Sequence, residues 1–420
     1  MSVYSVDAGD PFLVTLAARL LDGTLWPGGA MPSDPLAITT ATVYLPTRRA
    51  ARVLATAFLD VAGGPTALPR IEALGESDEE DPAHARIETV GLIEARAALA
   101  ALVSAFARRL EADMDPDQRV LMPNSAPDAI RLADDLLALM DQVETQEADW
   151  ADLPGLVERA DLAAHWELTT RFLTIATHEW PAYLAEANRI SEAAARRLDA
   201  QAAVAALDDA RGPMIVAGST GSIPATRRLI AAIAQHPFGA VVLPGFDRAA
   251  TADDWATLAE AGDAPGHPQH GLRELVEALG ITSEVARLVP PGEATTAGVK
   301  ARRDLLRAAL RPAPTTHLWL DDRAATDLAA ALGDVALVDA EDERVEAAAI
   351  AVAMREAVEH GEAVALITPH RALARRVSHA LRRWQITIDD SAGEPLAATE
   401  AGVFARLVAA VALDGAAAEW

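Results

Sequence analysis

Four apolar runs of strand length in this chain each break into a turn of proline, glycine, hydroxyl or arginine residues, and a helical pattern follows. The turns are Leu45-Pro46-Thr47-Arg48-Arg49, Ala217-Gly218-Ser219-Thr220-Gly221-Ser222, Leu243-Pro244-Gly245-Phe246-Asp247 and Ile367-Thr368-Pro369-His370-Arg371. A strand that hands over to a helix before the next strand is a crossover, so the repetition specifies an α/β chain with parallel sheets. In such sheets ligands sit beyond the carboxyl ends of the strands, where helix N-termini offer unpaired N–H groups and positive dipole to anions. Thr47, Arg48, Arg49, Ser219, Thr220, Arg227, Thr368 and Arg371 are therefore candidates for contacting the phosphates of a nucleic-acid strand. The competing reading is that the hydroxyls and prolines only cap helices and the arginines are solvated.

Strands are expected at Val3–Val6, Ala41–Leu45, Met214–Ala217, Ala240–Leu243, His317–Leu320, Val335–Val338, Ala363–Ile367 and Ile386–Asp390. Helices are expected at Phe12–Leu21, after Arg49 to about Val61, after Pro224, at Val345–Glu359 and at Arg371–Trp384. Between them, Ile87–Leu110, Ala129–Val143, Leu162–Thr177 and Ala182–Leu207 carry long runs of helical period, which read as an all-helical insertion. Asp253–Pro314 is loop-rich with short helical pieces and is expected to cover an edge of the sheet. The divisions that follow are residues 1–82 and 211–315 for a first α/β domain, 83–210 for the insertion and 316–420 for the start of a second α/β domain.

Absences narrow the chemistry. Lys300 is the single lysine, so no G-x-x-x-x-G-K-[ST] phosphate loop can be drawn. Cysteine is absent, which removes disulfides and thiolate metal sites within these residues. A formal net charge of -26 argues against nucleic-acid binding through overall potential, though not against a local arginine track. The N-terminus lacks a signal-peptide pattern and no segment is long enough to span a bilayer, so a cytoplasmic protein without membrane contact is expected. The run Val403–Leu413 leads to the last residue without a cap, the pattern expected of a fragment of a longer protein.

Other segments carry weaker signals. The 218–222 loop would suit a cofactor phosphate in a Rossmann-type enzyme, but the next strand-end acid, Asp247, lies further on than ribose binding requires. His267 and His270 have near-metal spacing without a third ligand of fitting type. Asp389 and Asp390 would serve magnesium or a general base, against a helix cap. Glu76–Asp81 reads as a solvated acidic loop. No Ser/His/Asp set stands out, and a protein-binding scaffold without DNA contact is a further alternative.

Taken together, PFLVTLAARLL, VYLPTRRAARVLATAFL, LPRIEALGE, VAGSTGSIPATRRLIAAIA, GAVVLPGFD, HPQHGL and ALITPHRALARRVSHALRRWQITIDDSAGEPLAAT resemble the N-terminal part of a known family. It is the AddB subunit family of bacterial double-strand break repair helicase–nucleases, in its alphaproteobacterial form, and the resemblance runs over almost the whole chain. It implies a superfamily 1 helicase-like fold: RecA-type parallel sheets with a large all-helical insertion. It also implies an AddA-type helicase–nuclease partner and a substrate of broken-end and single-stranded DNA, processed for homologous recombination and, in relatives, recognised at a hotspot sequence. ATP and magnesium would belong to the partner subunit, and an iron–sulfur cluster and nuclease domain to a part beyond residue 420. Thr47, Arg48, Arg49, Ser219, Thr220, Thr368 and Arg371 fall at strand ends where helicase-like contacts to DNA are expected. The turn Asp7-Ala8-Gly9-Asp10-Pro11 stands where an active relative carries its phosphate loop, and its two carboxylates would repel a triphosphate. The expectation is a non-motor, helicase-like subunit with no catalytic residue, cofactor or metal of its own in this stretch.

Overall fold

The structure, a computed structural model, describes residues 2–74, 88–113, 125–155, 163–210, 212–260, 264–281, 285–292, 296–393 and 395–414. The acidic run 76–81 lies outside them. The chain divides into two compact units, Met1–Gly333 and Asp334–Trp420.

The first unit is built on a six-stranded, all-parallel sheet. Its strands are β1 (Ser2–Val6), β2 (Thr42–Leu45), β3 (Arg70–Ala73), β4 (Met214–Ala217), β5 (Gly239–Pro244) and β6 (Ala286–Arg287), in the spatial order β3-β2-β4-β5-β1-β6. The inner strands are apolar throughout because both faces are covered. Alternate residues go to opposite sides: Val43, Ile215, Ala217 and Val242 pack beneath α1 (Phe12–Leu21) and α2 (Arg48–Ala62). Met214, Val216, Val241 and Leu243 join the other core, with the helices Pro224–Gln235 and His270–Ala278.

The expected insertion is helical. It contains α3 (Leu92–Asp113), α4 (Ala126–Thr145), α5 (Ala163–Thr174), α6 (Trp180–Ala187) and α7 (Glu192–Ala205), around a core of its own that includes Leu99, Val103, Leu136, Met140, Ile175 and Trp180. The single helix expected over 182–207 is broken in two. Asn188 takes a left-handed conformation with φ 51°, and Ser191 caps the new helix by accepting from Ala194 N at 3.1 Å.

After β4 comes α8 (Pro224–Gln235), and after β5 come α9 (Ala252–Glu260) and α10 (His270–Ala278), followed past β6 by α11 (Ala297–Ala309). The segment after Asp253 thus supplies β6 at one edge of the sheet and α10 on one of its faces, and α11 is longer than the short pieces expected. The strand expected at His317–Leu320 is not formed: residues 313–318 are a 3-10 turn that runs into α12 (Trp319–Ala325), with α13 (Leu328–Leu332) beyond. The Trp319 indole donates to Ala308 O at 2.7 Å and ties this segment to α11, while Leu320 is largely exposed.

In the second unit, α14 (Glu343–Glu359) and α15 (Arg371–Arg382) form at the expected places, and α16 (Glu400–Asp414) follows. Ala347, Ala351, Val377 and Leu381 make its core, with Leu366, Ile386 and Ile388 against it. The segments 335–338, 363–367 and 386–390 are not strands: they carry no regular secondary structure. Leu366, Ile386 and Ile388 meet this core while Val335, Leu337 and Val338 are exposed, and a strand also requires a neighbour in register to bond its backbone.

Candidate functional site

Because the sheet is parallel, the turns after β1, β2, β4 and β5 all emerge at one edge. The helices leaving β1 and β2 pack on one face of the sheet, whereas α8 and α10, which follow β4 and β5, pack on the other. Neighbouring strands β2 and β4 therefore send their helices to opposite sides, the topology that in parallel sheets favours a ligand crevice between the two turns. Thr47, Arg48 and Arg49 stand on one side of that crevice, and Ser219 and Thr220 on the other. The approach is close: Gly218 has φ 78°, and a Cβ there would meet Pro46 at 3.5 Å and Phe12 at 3.4 Å.

Local bonds shape both walls. Thr47 Oγ1 accepts from Ala50 N at 3.1 Å and so caps α2, which leaves its hydroxyl proton available to a ligand. Pro46–Arg49 are exposed. Ser219 Oγ accepts from Gly221 N at 3.2 Å. The helix α8 has no side-chain cap and begins with proline. Arg227 turns inward: its Nε donates to Gly221 O at 2.9 Å and its guanidinium pairs with Glu274 at 2.8 Å. It braces the 218–222 loop through these two contacts. Arg228 beside it forms a two-point pair with Glu147, which holds that carboxyl below the usual range and joins α8 to the helical stretch.

The β1 turn is sealed by charge. Arg303, from α11, reaches Asp10 at 2.7 Å and Asp7 at 3.2 Å and also donates to Ala8 O. Arg287, from β6, lies 2.9 Å from Asp7, placed for charge attraction, and donates to Asp10 at 3.1 Å. Arg248 approaches Asp7 at 3.4 Å. Asp10 is only 6% exposed at its side chain, so its charge depends on these partners. Gly9 has φ 85°, and a Cβ there would touch Val299 at 3.4 Å, which puts α11 directly over the turn. The positive charge of this corner is thus aimed at Asp7 and Asp10, and the carboxylates expected to repel a triphosphate are held by arginines of their own chain.

The next turn is closed in the same way. Asp247 pairs with Arg307 at 2.6 Å, Gln269 bridges Asp247 N at 3.0 Å and Gly245 O at 2.9 Å, and Ser5 Oγ accepts from Phe246 N at 3.2 Å. Burial lowers the Arg307 guanidinium, but bonds and charge from Asp247 and Asp304 outweigh it and leave the group above its ordinary value. Asp247 is therefore engaged where a cofactor ribose would need it. His267 is structural: its Nδ1 accepts from Gln269 N at 3.1 Å and its Nε2 faces Leu310 O at 2.9 Å, while His270 lies 3.5 Å from Glu274. No cluster of three metal-ligating side chains occurs among the described residues.

Arg311 makes a third network, with Asp254 at 2.8 Å and Asp322 at 3.0 Å. At Asp254, burial raises the carboxyl, but bonds from Thr251 and the charge of Arg311 bring it below its ordinary 3.8; at Asp322, the bond from Arg311 does so directly. A carboxylate depressed in the folded state stabilises it above the unfolded value and loses that contribution as pH falls through the folded one. The stability from this pair is accordingly expected to be complete above about pH 5 and to fall away below pH 3.8, in acid unfolding followed by circular dichroism. Asp254→Asn with Asp322→Asn should flatten that dependence.

Thr368 and Arg371 belong to the second unit. Thr368 Oγ1 accepts from His370 N at 3.0 Å, and Arg371 clasps Asp390 at 2.9 and 3.0 Å and donates to Gly393 O at 2.9 Å. The bond from Asp390 raises the Arg371 guanidinium above its ordinary value. Asp390 thus orders a turn with Ala392 N, and with Arg371 on both oxygens it does not present the open carboxylate that magnesium needs.

Among the described residues no helix is long and apolar enough to cross a membrane. No protein-family model matches the chain, and no curated protein matches it significantly.

Proposed function

We propose that this chain is a non-motor, helicase-like subunit of a DNA double-strand break repair helicase–nuclease complex. In this reading its sheet is of RecA type, and it holds single-stranded DNA that an ATP-driven AddA-type partner delivers during end processing for homologous recombination. The observation that carries the reading is the β1 turn: the corner that meets a triphosphate in a motor is occupied by Arg287 and Arg303 on Asp7 and Asp10. A motor needs that corner free for exchange of nucleotide. Here it is a fixed junction between β1, β6 and α11, suited to a rigid scaffold.

The strand would follow the β2–β4 crevice, with phosphates toward Thr47–Arg49 and the open N-terminus of α8. Because phosphate contacts displace condensed counterions, each arginine removed should lower the salt dependence as well as the affinity. The double variant Arg48→Ala with Arg49→Ala is expected to weaken binding of a labelled single-stranded oligonucleotide and to reduce the slope of log affinity against log salt by about 1 to 2. An unchanged slope would remove these arginines from the interface.

A further inference from the structure

A cavity of about 500 Å³ opens beside the β5 turn. Its wall is aromatic on one side, where Phe246 and Trp255 stack with ring centres 5.2 Å apart and planes within 12°. Val276 and Ile281 line it with apolar surface, and Arg273 adds a cation. The Arg273 guanidinium is held at one end by Glu277 and its Nε is buried, so its outer N–H groups are the ones it brings to the wall. Both aromatic rings are only half buried, so they have surface left to cover. The volume lies within the range of small-ligand pockets, and beside its aromatic and aliphatic surface the wall carries Asp247, Arg248 and Glu277 as well as Arg273, a mixed lining that suits a ring bearing polar edge groups.

We infer that this cavity binds one planar heteroaromatic ring carrying a hydrogen-bond acceptor, the chemistry of a nucleobase, against the Phe246–Trp255 pair with the acceptor at Arg273. Other occupants fit less well. A saturated lipid chain would desolvate the charged groups of Arg248, Arg273, Asp247 and Glu277 without pairing them, and an inorganic anion would leave the aromatic wall wet. The ring has two sources, a free mononucleotide or a base turned out of a single strand. Only the second rests on the strand-binding reading above.

The test has two arms. In the first, the four deoxynucleoside monophosphates are titrated calorimetrically into the wild-type chain, Trp255→Ala and Arg273→Met, with unfolding midpoints confirming that the variants are folded. One-site binding that weakens about tenfold or more in Trp255→Ala, the loss expected for one base–aromatic stack, supports the free-nucleotide source. In the second arm, a single-stranded oligonucleotide is compared with the same strand carrying abasic positions. A loss of affinity on removing bases that is present in wild type and absent in Trp255→Ala supports the strand source. If no mononucleotide binds and base removal has the same effect in both proteins, the inference is overturned. The wild-type affinity for the intact strand reports separately on the proposed function: a chain that takes the free nucleotide but no strand would keep this site and lose that reading.

Discussion

Arg303→Ala is expected to destabilise the first unit by about 3 kcal/mol, measured as the shift of its urea transition. The arginine is 18% exposed and Asp10 6%, so its removal leaves a buried carboxylate with Arg287 as its remaining close cation. The cost comes from the stranded charge more than from the lost attraction, since breaking one side of a buried pair exceeds what the pair itself contributes. The cycle with Asp10→Ala separates the two: the double variant should recover part of the loss, with a coupling of about 1 kcal/mol or more. Lys300→Ala supplies the contrast. Its side chain is 77% exposed and pairs with Asp304 across one helical turn, and its loss should stay within about 0.5 kcal/mol.

Phe58→Ala should cost about 3–5 kcal/mol by the same measurement. Phe58 is fully buried on α2, in the core that α1 and α2 form over β2, β4 and β5. Alanine would leave a ring-sized void in a layer whose neighbours, Leu16, Leu20 and Leu54, are held by helices that cannot collapse freely. The same helix carries Thr47, Arg48 and Arg49 at its start, so a loosened α2 should also weaken the proposed strand binding modestly. Phe58→Leu, which keeps most of the volume, should restore most of both.

The parts of this fold visible in the sequence are those whose cause is local. The strands β1, β2, β4 and β5 show as apolar runs because Val43, Ile215, Val216, Val241 and Val242 are buried from both sides. β3 escapes notice because it is an edge: Arg70 and Glu72 sit within its four residues and pair with each other. β6 has only two residues, too few for any period. His317–Leu320 shows the opposite error, since a short apolar run fits a helix as well as a strand until its partners are known.

The site divides in the same manner. Asp7 and Asp10 are conspicuous in the turn after β1, and the cap at Thr47 follows from residue type. The arginines that neutralise those carboxylates come from positions 287 and 303, and only the folded sheet brings them there. Arg227 looked like an anion contact because it opens a helix after a glycine turn, yet Gly221 O and Glu274 claim its guanidinium. Sequence position shows where a charge starts along the chain, not which partner satisfies it.

The central claim, a strand-holding scaffold whose nucleotide corner is closed by its own arginines, is tested most directly by one fluorescence anisotropy series. A labelled single-stranded oligonucleotide is titrated with the chain at several salt concentrations, with and without ATP and magnesium, while phosphate release is followed in the same samples. The account predicts binding that weakens steeply with salt, that ATP leaves unchanged, and no phosphate release. Binding absent at every salt concentration, or steady release of phosphate by the chain alone, would contradict it.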